Sequence, residues 1–151
     1  MPRRLSPTRL TLLASFALAV ALAGCAASFH VRVEPNGSAL DPIAADSLAS
    51  STDISSVASV PTTEAPDMRT RVLEQLRTQG VFGQRAADLL TIGFPERTAS
   101  VPVLVRGAKF SGTDAIIVVE AWGSTGGKLV HRRLWVFDRA TGAMLRAASF
   151  R

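Results

Sequence analysis

Tyrosine is missing from these 151 residues, and phenylalanine and tryptophan together supply only 6% of them. A packed interior must therefore come mostly from Ala, Val, Leu and Ile, side chains without a polar handle. A single cysteine, Cys25, excludes an internal disulfide, so the fold must stand on packing alone. Two histidines, His30 and His131, are too few for a histidine-rich metal centre, and no Cys/His cluster has ligand spacing. No metal and no cofactor is expected. The Gly-x-Ser-x-Gly nucleophile motif is absent, and the acidic residues are scattered where general acid–base chemistry needs them converged.

The length allows one ordinary domain. A net charge of +5 suggests a nucleic-acid binder, but Arg3, Arg4 and Arg9 sit at the extreme N-terminal end. Without residues 1–24 the chain keeps 127 residues with 14 basic and 12 acidic side chains, close to neutral. No nucleic-acid motif is present, and no nucleic-acid partner is expected. The charge is nevertheless uneven. Residues 26–96 hold 5 basic and 9 acidic side chains, and residues 97–151 hold 9 and 3.

After the three N-terminal arginines, residues 10–23 run for 14 positions without a charge, the length of a signal-peptide apolar core. A membrane-spanning helix needs about 20 apolar residues. The run ends in Leu22-Ala23-Gly24-Cys25, which resembles the lipobox of bacterial lipoproteins. Small Ala23 and Gly24 suit the backbone path into a signal peptidase, and Cys25 offers the thiol that receives diacylglycerol. The resemblance implies cleavage before Cys25 and two or three acyl chains on it, enough for lasting attachment. It implies a cell-envelope location. Ala26 and Ala27, where an Asp would retain a lipoprotein in the inner membrane, imply outer-membrane sorting toward the periplasm. The alternative is an uncleaved anchor helix over residues 10–29, with Cys25 an inert buried thiol.

Behind this segment the chain reads as α+β, a small, mainly antiparallel sheet with one covering helix. Residues 25–37 form the anchor and a first strand, in which Phe29, Val31 and Val33 alternate. Residues 38–66 are rich in Ser, Ala, Thr and Pro and read as an irregular loop or linker, with a short strand possible at 54–60. Residues 67–151 form the main α+β unit. A helix over 66–79 carries Met68, Val72, Leu73 and Leu76 on one face. Gly80 suits its left-handed stop, and Val81 can then fold back on Leu76. Period-two patterning predicts a strand over 88–94, with Leu90, Ile92 and Phe94 aligned, and a short segment at 101–105 whose Pro102 favours an edge. Residues 114–122 are apolar on both faces, as a central covered strand should be. Turns at 124–127 and 138–142 lead into strands 128–137 and 143–150, closing an antiparallel meander. Asp138 and Gly142 fit the second turn.

The helix ending Leu76-Arg77-Thr78-Gln79-Gly80-Val81-Phe82, the following Ala87-Asp88-Leu89-Leu90-Thr91-Ile92 and the hairpin Leu134-Trp135-Val136-Phe137-Asp138-Arg139-Ala140-Thr141-Gly142 are together similar to small envelope lipoproteins classed as a domain of unknown function. The hairpin more loosely resembles lipoproteins of the curli secretion pore and of penicillin-binding-protein activation. These imply assembly or partner-activating roles. The expected function is a non-catalytic structural or partner-binding module, anchored through Cys25. Its possible partners are another envelope protein or an anionic polymer. Arg132, Arg133 and Arg146 are the candidate anionic-partner surface. A solvated strand face is the plainer account of the same arginines, and Arg132 and Arg133 point to opposite faces in any case. Trp122 and Trp135 read as core or as interface anchors. The alternative function is an envelope hydrolase built around His131 and a distant Asp.

Overall fold

A computed structural model describes residues 28–93 and 99–151. Along the chain lie β1 (Arg32–Glu34), α1 (Pro42–Ser51), α2 (Ala65–Arg77), α3 (Gly80–Ile92), β2 (Ser100–Phe110), β3 (Thr113–Trp122), β4 (His131–Asp138) and β5 (Met144–Phe150). Leu22, Ala23, Gly24 and Cys25, the preceding segment and Phe94 lie outside the described residues. The five strands form one sheet in the order β1-β2-β3-β4-β5, parallel between β1 and β2 and antiparallel elsewhere. The α+β class and the closing meander are as the sequence predicts.

Helices cover both faces of the sheet. Side chains alternate along β3, so Ile116, Val118 and Glu120 point one way and Ile117, Val119 and Ala121 the other. Glu120 reaches Arg69 of α2, which places α2 and α3 on the first face. Arg132, paired across from Ala121, reaches the Thr52 carbonyl at the end of α1, which places α1 on the second. Residues Ile116 through Ala121 are all buried, so β3 is the covered central strand that its two-sided apolar run requires.

Three elements differ from expectation. Residues 42–51 form α1 within the stretch read as irregular loop. Asp41 caps it by accepting from Ala44 N at 2.7 Å, and Pro42 occupies its first turn. The helix buries only Ala45 and Ala49, small side chains that let it lie close on the sheet. Residues 54–60 form turns instead of a strand, although Ile54 and Val57 are buried. Residues 80–92 form α3 where a strand over 88–94 was expected. Phe82, Ala86, Leu89 and Leu90 are buried at helical spacing, while Ile92 is 84% exposed. Among the described residues three helices therefore stand where one was expected.

Gly80 does stop α2, at φ +70°, but α3 begins on it. Val81 consequently projects outward, and Phe82 packs inward instead. Strand β2 is longer than the expected segment. Pro102 sits at a register shift against β3 and beyond the reach of β1, so its missing N–H breaks no ladder there. The β4–β5 turn is as expected. Asp138 accepts from Ala140 N and Thr141 N, both at 2.8 Å, and Gly142 takes φ +79°.

Candidate functional site

The polar centre of the molecule lies beneath α2, on residues that apolar patterning passes over. Helix α2 buries Ala65, Arg69, Val72 and Leu76, a stripe at spacings of four, three and four in which one member is charged. Its partner, Glu120, is wholly buried among the apolar residues of β3. Arg69 Nη1 donates to Glu120 Oε1, and also to the Ser100 carbonyl at 3.3 Å and Ser100 Oγ at 3.2 Å. Arg69 Nη2 donates to the Leu90 carbonyl at 3.3 Å. The second Glu120 oxygen accepts from Trp135 Nε1 at 3.0 Å. A charge taken from water is tolerated when its remaining hydrogen-bonding capacity is met, and here α2, α3, β2, β3 and β4 all contribute to meeting it.

Above this pair, where the sheet passes out from under α2 and α3, Arg133 lies between the two tryptophans. Its Cζ is 4.8 Å from the centre of the Trp122 ring and 5.5 Å from that of Trp135, within cation–π range. Trp122 Nε1 donates to the Arg132 carbonyl at 3.1 Å. Both tryptophans are half-buried, with apolar bodies packed and polar ends satisfied. His131 sits at the same end with its ring 5.0 Å from that of Trp122. His30 is exposed, just ahead of β1.

The three candidate arginines do not form one surface. Arg132 Nε donates to the Thr52 carbonyl at 2.7 Å, on the α1 face. Arg146, on the same face, holds Asp46 of α1 through both carboxylate oxygens, at 2.8 and 2.5 Å. The Asp46 hydrogen bond pushes the Arg146 guanidinium above its ordinary pKa, so it stays charged. Arg133 alone looks out from the other face. Two carboxyls are held below their ordinary pKa by local donors. Asp138 is lowered by the Thr141 backbone N–H, with that of Ala140 adding to it, and Asp53 by the backbone N–H and hydroxyl of Ser55.

Three of the clefts formed by the described residues lie near candidate groups. One, about 380 Å³, lies beside Arg69 between Asp67, Leu73 and Leu90. A second, about 340 Å³, lies between His30 and Gln75, and a third, about 170 Å³, between Asn36 and Arg139. None of the three is lined by His131. Among the described residues no group of three His, Cys, Asp or Glu side chains converges to hold a metal, and no helix is long and apolar enough to cross a membrane. The arrangement is suited to binding helices to the sheet, since both Glu120 oxygens and both Arg69 terminal nitrogens are engaged. Comparison with protein-family models, curated proteins and solved structures finds no match to this chain.

Proposed function

We propose that this chain is a bacterial envelope lipoprotein, held to the outer membrane by acyl chains on Cys25 and facing the periplasm as a non-catalytic, partner-binding module. One observation carries the reading. A charge-free run of 14 residues follows three arginines and ends in Leu22-Ala23-Gly24-Cys25. The non-catalytic part draws support from the commitments of the polar groups. Glu120, Arg69, Arg132 and Arg146 are engaged in bonds between layers, and His131 packs on an indole. None of the three clefts described above is lined by His131, on which the hydrolase alternative depends.

Mass spectrometry of protein extracted from membranes tests the anchor. The expected product begins at Cys25 and carries diacylglycerol, and Cys25→Ser leaves full-length precursor in the inner membrane. Recovery of an intact Met1 end with an unmodified Cys25 would overturn the reading. The sorting part is tested by fractionation, in which Ala26→Asp should move the protein from the outer to the inner membrane.

A further inference from the structure

The two edges of the sheet are finished differently. At β1, only three residues long, the side-chain amide of Gln75 occupies the backbone just ahead of the strand. Gln75 Nε2 donates to the Phe29 carbonyl at 3.0 Å, and Val31 N donates to Gln75 Oε1 at 3.5 Å. At the opposite edge β5 runs for seven residues, and among the described residues no strand or bridge lies on its outer side.

Open edges are usually kept single by proline, lysine or an uncompensated inward charge. Strand β5 has no proline or lysine, and its one charge, Arg146, is neutralised by Asp46. A register shift against β4 falls at Leu145 and leaves residues 146–150 regular. Exposed apolar side chains gather here. Met144 is 50% exposed and Leu145 40%, and Ile43, one turn from Asp46 on α1, is 80% exposed.

We propose that β5 is the contact between two copies of this chain, paired antiparallel about a two-fold axis so that two five-stranded sheets become one of ten. Self-complementarity singles out a second copy as the occupant. Two registers keep Arg146 away from its symmetry mate. Centred on Ala147, Arg146 meets Ala148. Centred on Ala148, Arg146 meets Phe150 and Ala147 meets Ser149. Either places small side chains at the axis and no like charges opposite one another. The backbones can then close to the usual strand spacing, about 4.8 Å, and exchange about five to seven hydrogen bonds. This names the partner in the partner-binding reading and rests on that reading only for its place in the envelope.

The test uses the full chain in detergent, with Ala147→Cys and a short bis-maleimide reagent. In either register the two introduced thiols lie within about 8 Å of each other. The expected result is a covalent dimer for Ala147→Cys and monomer for Ser59→Cys, an exposed position in the turn after α1 and outside the sheet. Wild-type protein reports on the anchor separately, since an acylated Cys25 takes up no maleimide. Wild-type chain should sediment as a dimer, and Ala147→Lys should shift it to monomer with unchanged circular dichroism. A monomeric wild type, or cross-linking at Ala147→Cys no greater than at Ser59→Cys, would overturn the proposal.

Discussion

An arginine–carboxylate pair joins a helix to each face of the sheet, and the two differ in burial far more than in chemistry. Beneath α2, Arg69 and Glu120 have side chains 10% and 1% exposed, while beneath α1, Arg146 and Asp46 are 32% and 33% exposed. Water can replace a lost partner at the outer pair, because each group is already partly hydrated. At the inner pair it cannot, and the survivor is left charged in an apolar setting. The same contact therefore fixes one helical layer in an all-or-nothing way and only trims the other.

Removing one partner from the inner pair breaks this contrast most sharply. Glu120→Ala leaves Arg69 buried without its carboxylate and should destabilise by about 3–5 kcal/mol, read from urea or thermal unfolding. Replacing both groups at once, as Arg69→Met with Glu120→Leu, should restore most of that loss, because neither charge is then stranded. A double variant as unstable as Glu120→Ala would show that shape, not charge, is what Glu120 provides.

The outer pair supplies the sharpening test. Asp46→Ala should shift the unfolding midpoint far less than Glu120→Ala, and added salt should shrink even that difference. An effect comparable to Glu120→Ala would mean that α1 docks through this pair rather than through Ala45 and Ala49.

The smallest expected effect lies at the β4–β5 turn. Asp138 is held below its usual value of 3.8 by the Thr141 and Ala140 N–H groups. A lowered carboxyl pKa contributes stability that is complete at neutral pH and is lost as pH falls through the folded-state value. The melting midpoint of wild type should therefore exceed that of Asp138→Asn at pH 7, and the gap should narrow toward pH 3. A constant gap would assign the difference to turn geometry instead of charge.

How far the sequence discloses this molecule depends on side-chain size. Strand β3 announces itself through large apolar residues on both faces, and the β4–β5 turn through Asp138 and Gly142. Helix α1 does not, because its buried face consists of Ala45 and Ala49, which add little to any hydropathy count. The signal that could have found it is the cap, Asp41 followed by Pro42. Helix α3 was hidden by a short window, since Leu90 and Ile92 fit a period of two. A longer window containing Phe82, Ala86, Leu89 and Leu90 fits a helix. The central ion pair was readable in principle. Arg69 interrupts the apolar stripe of α2, Glu120 interrupts the apolar run of β3, and two opposite charges at core-facing positions commonly answer each other. The arginines that drew attention by their number, Arg132 and Arg146, are instead spent on holding α1.

The Gln75 clamp has a mechanical side. Tension arriving through the N-terminal part of the chain meets the Gln75 bonds to Phe29 and Val31 first, and then runs along the axis of β1. A pull along that axis slides β1 past β2 and loads the bonds between them together. Peeling the strand sideways would break them one at a time at lower force. A force applied along that axis would thus meet the short first strand as a shear joint.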